Sequence, residues 1–271
     1  MHESFGDIPS KKSGPKRREA ERRTAVAASG RSSDLFLETV EKGIGSGGHG
    51  TIDRVAVTAT GADGRGRDAG NFIVKEYHSQ VSGRRYAEEA VKKHEFLRAN
   101  GFGTWRTFRR IEGGGAVLMT DGGLDGSVVV ARNMSKAKNP FAEHSLEVLE
   151  NFSEAVTKGA LDALHADRIG LLVPEDAWLI SLKRDEERDP SGKTAFVGGI
   201  FIGDYDLLYG HEAPSGFVPD NVAGYRCAVV AVLHAVLSPD AAETFVRECD
   251  RVIGSVRESD DTVSPQYRQT S

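Results

Sequence analysis

Gly45-Ser46-Gly47-Gly48-His49-Gly50-Thr51-Ile52, continued by Val55-Ala56-Val57 and then Phe72-Ile73-Val74-Lys75, is the stretch whose reading decides the fold. The glycines follow the pattern G-x-G-x-x-G-x-[VI] at a turn between two β-type runs. Thr51, Ile52, Val55, Val57 and Thr58 favour a strand after the turn, whereas a dinucleotide-binding turn leads directly into a helix. Glycines let backbone N–H groups approach phosphate oxygens with no Cβ in the way. A lysine on a neighbouring strand supplies a point charge to such phosphates. The competing reading is an ordinary glycine-rich hairpin in a chain that holds 31 glycines.

The remainder of the chain sets the frame. Its 271 residues suffice for one bilobal domain or two small ones. Charged residues make up 28% and hydrophobic ones 39%, as in a soluble globular protein. No apolar run approaches the length of a membrane span, and no apolar signal-peptide core stands at the N-terminus. Cys227 and Cys249 are too few and too far apart for a zinc site; both sit on apolar helical patterns, as reduced core residues of a cytoplasmic protein do. A net charge of −5 gives no general case for nucleic-acid binding. Residues 1–33, with the basic run Lys11 to Arg23, contain too few apolar side chains to offset their ordering and are expected to form a disordered tail. That arm is the one candidate contact for nucleic acid or acidic lipid.

Helical spacing places Ala87, Ala90, Val91, His94 and Leu97 on one face of a helix over 84–99, with Glu88 and Glu95 on its flank. Strands are expected over 105–111 and 116–119, around Gly113-Gly114-Gly115. A long helix is expected over 145–165, strands over 177–182 and 194–203 joined by a charged hairpin, and helices over 221–237 and 240–256.

The glycine hairpin, the strand lysine and this order of elements resemble the protein-kinase-like superfamily, in a reduced and atypical form. The resemblance implies an α+β, bilobal protein-kinase-like fold: a five-stranded antiparallel N-lobe over 34–121 and a reduced, mainly helical C-lobe over 122–256, with a second tail over 257–271. It implies ATP held under Gly45, Ser46, Gly47, Gly48, His49 and Gly50, with Lys75 on the phosphates. Glu88 or Glu95 would steady that lysine, and Met119 and Asp121 would lie at the adenine hinge. Pro174-Glu175-Asp176 resembles the segment that supplies a metal-ligating side chain, and Asp204-Tyr205-Asp206 resembles the D-F-G element. Asp176, Asp204 and Asp206 are thereby implied as Mg2+ ligands, with Lys75 and Asp204 as the catalytic pair.

One element departs from the pattern. Ile169-Gly170-Leu171 stands where the H-R-D signature belongs, and apolar side chains cannot accept a hydroxyl proton. Three readings follow: Mg2+-dependent phosphoryl transfer from ATP to a hydroxyl acceptor such as protein Ser/Thr, an inactive pseudokinase acting as a nucleotide-responsive partner-binding module, or an unrelated α+β protein whose glycines are only turns.

Overall fold

The computed structural model describes residues 21–26, 32–46, 49–60, 66–120, 128–130, 151–184, 195–208 and 220–263. Its first half is built from β1 (Glu21–Val26), β2 (Ser32–Ser46), β3 (Gly50–Thr60), β4 (Gly66–Tyr77), β5 (Phe108–Ile111) and β6 (Ala116–Thr120). These six antiparallel strands close into a barrel in the order β1-β2-β3-β4-β6-β5. The closing contact pairs Ala25 with Ile111 and Val26 with Arg110.

This architecture overturns two expectations. The bilobal kinase-like fold with a five-stranded N-lobe is replaced by a closed six-stranded barrel, accompanied among the described residues by four α-helices. The extra strand, β1, comes from residues expected to be a tail, and it pairs with β2 from Glu21↔Leu37 to Val26↔Ser32. Apolar content is a poor guide to this segment. A strand closing a narrow barrel contributes ladder hydrogen bonds and one small inward side chain, and Ala25 is 1% exposed.

Period-two alternation divides the barrel strands between two cores. Leu35, Leu37, Val55, Val57, Val74, Ile111 and Leu118 fill the interior with Ala25. Ile73, Tyr77, Val117 and Met119 point outward, onto α1 (Gln80–Ala99). The short strand β6 is therefore buried on both faces, which explains its unbroken apolar run. α1 starts at an N-cap, Ser79, whose side chain accepts from the Ser82 amide. Ala87, Ala90, Val91, His94 and Leu97 are its buried stripe, as their spacing predicts. Burying Leu97 alone is worth about 2 kcal/mol.

The second half holds β7 (Val128–Val130), β8 (Trp178–Arg184) and β9 (Ala195–Ile202) in one antiparallel sheet, with α2 (Phe152–Arg168), α3 (Asn221–Val236) and α4 (Pro239–Val263). The sequence predicts the β8–β9 pair, whereas β7 is an addition too short to show a period. α4 runs beyond the boundary at 257 expected for a C-terminal tail, and its buried residues Val252, Ile253 and Val256 lie ahead of that point. One apolar cluster runs without interruption from the outer barrel face through α1 to α2, α3 and α4. Cys249 belongs to it, and burial pushes its thiol up to about 12. Cys227, expected in the core, is exposed. None of the described helices is long and apolar enough to cross a membrane.

Candidate functional site

Lys75 lies on β4 between Ile73 and Tyr77, so the strand period turns it to the same outward face. It stands opposite Ile52 on β3 and Val117 on β6. Its ammonium meets a turn far along the chain. Nζ lies 3.2 Å from Asp204 Oδ1 and 2.6 Å from Asp206 Oδ2, across separations of 129 and 131 residues. The Tyr77 hydroxyl donates to the other Asp206 oxygen at 2.9 Å. Burial alone would lower the Lys75 pKa, but the two carboxylates overcome it and hold the ammonium above its ordinary value. Burial, with the Asp206 charge added, pushes the Tyr77 phenol far upward, so it remains a donor.

The turn carrying the aspartates is fixed from several sides. β9 ends at Ile202, and Tyr205–Leu207 forms a single 3-10 turn capped by Asp204, whose side chain accepts from the Asp206 amide at 3.4 Å. Tyr205 is 2% exposed and meets Phe108 edge-on at 4.8 Å. The Trp105 indole donates to the Gly203 carbonyl at 2.9 Å, and Lys93 on α1 donates to the Tyr205 carbonyl at 2.8 Å. His94 Nε2 lies 2.9 Å from the Trp105 carbonyl, which requires the protonated nitrogen there. Burial lowers the His94 pKa and keeps the ring neutral.

Asp176 sits half-buried in a second 3-10 turn, Glu175–Ala177. The next residue ties the two turns together: the Ala177 carbonyl accepts from the Gly203 amide at 2.9 Å and the Asp204 amide at 3.4 Å. The glycine motif is the β2–β3 hairpin, with Gly45 opposite Ile52 and Ser46 opposite Thr51. Gly50 is packed so closely on β4 that a Cβ would stand 2.4 Å from the Glu76 carbonyl oxygen. The His49 carbonyl accepts from the His78 amide at 3.1 Å, and its ring meets Tyr86 edge-on at 5.9 Å. Tyr86 in turn lies 5.8 Å from Tyr77, which ties the hairpin tip to the residue holding Asp206.

Several expected site residues lie elsewhere. Glu88 pairs with Arg84 at 3.2 Å and approaches Arg110, while Glu95 lies 3.9 Å from His94 Nδ1. The loop aspartates take the place of a helix glutamate on Lys75, and α1 instead sends a cation, Lys93, to the same turn. Met119 is a core side chain of β6, 6% exposed. Gly47, Gly48 and Asp121 fall outside the described residues. Asp167 accepts at 3.0 Å from the amide of Asn221, the first residue of α3, and Asn221 in turn bonds Val173 and Leu171. Tyr77 and Lys93 escaped the sequence reading, although Tyr77 was visible as the residue two positions beyond Lys75 on the same strand face.

Among the described residues no group of three or more His, Cys, Asp or Glu is arranged to hold a metal ion. A cavity of about 690 Å3 opens away from Lys75, between the loop 101–106, α2 and β9. No protein-family model matches the chain, and no curated protein matches it. Among solved structures it is similar to a crystal structure of Cex1p, at 12% identity and a TM-score of 0.36, over 83% of this chain and 40% of that one. A likeness of that size carries no argument about fold or function.

Proposed function

We propose that the chain is a nucleotide-responsive module that binds ATP with Mg2+ at Lys75, Asp204 and Asp206, beside the glycine hairpin. The observation that carries this reading is the meeting of one strand lysine with two aspartates of a distant turn. An ammonium in that position suits the α- and β-phosphates. Carboxylate oxygens suit Mg2+, which commonly takes one or two protein carboxylates and completes its shell with phosphates and water. Asp204, at 33% side-chain exposure, and Asp206 are the residues that would hold the ion, with Asp176 on the adjoining turn. When bound, Mg2+ supplies charge neutralisation of the phosphate oxygens. Lys75 can serve phosphates only if its carboxylates acquire another cation, so nucleotide and divalent cation should bind interdependently.

Phosphoryl transfer to a hydroxyl acceptor uses the same three residues, and most of its catalysis is positioning and charge neutralisation. It also needs a place for the hydroxyl proton. Leu171 is buried, and the Asp167 carboxylate is committed to α3. Binding without turnover is therefore the reading the geometry supports best.

Calorimetric titration of ATP with and without Mg2+ tests it. Binding should require the cation in the wild type, lose that requirement in Asp204→Ala, and weaken in Lys75→Ala. ATP binding indifferent to Mg2+ and to both substitutions, or no binding at all, overturns the proposal.

A further inference from the structure

On the other side of α1 from its barrel contact, the helix leaves a large apolar side chain in water: Phe96 is 49% exposed. Beside it is a cavity of about 420 Å3, within the range of small-molecule sites. Leu97 on α1, Ile169, Gly170 and Leu171 from the segment after α2, and Leu208 after the aspartate turn form its apolar walls with Phe96. Among the described residues the polar lining consists of two lysines, Lys92 and Lys93, and none of the eight that line the cavity carries a carboxylate. We propose that this cavity is a binding site for a small apolar acid, its hydrocarbon body on Phe96, Leu171 and Leu208 and its carboxylate at Lys92 and Lys93.

The arrangement has the features such a ligand needs. An apolar wall beside two ammonium groups suits an anion whose tail can be dehydrated, and the carboxylates near Lys93 (Asp206, Glu89 and Asp204) are not among the residues that line the cavity. Lys93 is half-buried and held in place by its bond to the Tyr205 carbonyl. That bond uses one of the three donors of an ammonium. Burial lowers its pKa despite the Asp206 and Glu89 charges nearby, so an added carboxylate would favour its charged form. Lys92 is exposed and reaches the same cavity from the preceding position. The Ile169-Gly170-Leu171 segment, which has no place in proton transfer, is accounted for as part of this wall.

Titration calorimetry with sodium decanoate, and with decan-1-ol as a neutral counterpart, tests the site on the full chain. Decanoate should bind saturably, with a Kd below about 1 mM, and the alcohol more weakly. Phe96→Asp should weaken decanoate by about tenfold or more, since it removes a large apolar contact. Lys92→Glu should weaken it about threefold or more, as expected for reversing an exposed charge. Both positions are exposed and lie outside the Lys75 site, so the fold, checked by circular dichroism, and ATP binding should be unchanged. Absence of saturable binding, equal binding of the alcohol, or binding unaffected by both substitutions would overturn the assignment.

Discussion

Lys75→Met should destabilise the protein by about 3 kcal/mol, because it strands a nearly buried carboxylate. The Asp206 side chain is 7% exposed and Lys75 14%. Removing one member of a buried ion pair typically costs about 3–5 kcal/mol. The lower end applies here: the Tyr77 hydroxyl continues to donate to Asp206, and Asp204 is 33% exposed and partly solvated. In a chain of this size such a loss lowers the thermal midpoint by about 6–12 °C. Asp206→Asn should cost less, since Asp204 still answers the ammonium. The double variant Lys75→Met/Asp206→Asn should recover at least about 1 kcal/mol relative to the sum of the single effects. Mg2+ should raise the midpoint of Lys75→Met more than that of the wild type, because two carboxylates without their ammonium repel each other and attract a divalent cation. Urea unfolding of the four proteins, with and without Mg2+, measures all of this. Additivity within about 0.5 kcal/mol, together with equal Mg2+ shifts, would refute the coupling on which the site rests.

Ala25→Asp should cost about 3 kcal/mol by placing an unpaired carboxylate inside the closed barrel, measured by thermal unfolding; an unchanged midpoint would mean that β1 is not needed in the barrel. Gly50→Ala should cost about 1–3 kcal/mol, since its methyl meets the β4 backbone at Glu76 and must part β3 from β4 beside Lys75; denaturant titration reads it, and ATP affinity should fall with it. His94 has a folded pKa below its unfolded value of about 6.5, so its contribution is complete above that pH and is lost as pH falls from there through the lowered folded pKa. The wild type should lose stability between pH 7 and 5 at a slope of up to about 1.4 kcal/mol per pH unit from this group, and His94→Gln should lose that component.

The legible parts of the fold were those with a strong local period. The α1 stripe, the β8–β9 pair and the helices over 221–237 and 240–256 all carry such a signal, and each element is present, the last running on to Val263. β1 was not legible, because its placement depends on edges offered by β2 and β5, and neighbours distant in sequence leave no mark in six residues. The lysine–aspartate meeting was anticipated from a resemblance, and its partners were not. A helix glutamate was expected on Lys75, but side-chain direction on α1 sends Glu88 to Arg84 and Arg110. Charge alone does not tell which of several carboxylates reaches a given cation; that depends on the barrel's outer face and the rigid turn after β9.

The same contacts would serve to fasten the barrel to the helical half, and a fastening role must be weighed against a binding one. A buried ion pair is a poor fastener, since desolvation offsets much of its attraction and apolar side chains of similar size do as well or better. The composition of this cluster also exceeds what fastening needs. One ammonium is in contact with two carboxylates, and the second cation near them, Lys93, is bonded to the Tyr205 carbonyl rather than to either carboxylate. Asp204, the member with the longer contact to Lys75, is also the most exposed. A further carboxylate, Asp176, lies on a turn hydrogen-bonded to its backbone through Ala177. On the proposed reading, carboxylate charge that is partly open to water, beside a glycine hairpin and next to a held lysine, is stabilised further when a divalent cation arrives. The exposed and more loosely held Asp204 is the contact that, on the proposed reading, a divalent ion and its phosphates would take over, whereas a salt bridge that only joins two halves of a fold gives no reason for a carboxylate left open to water.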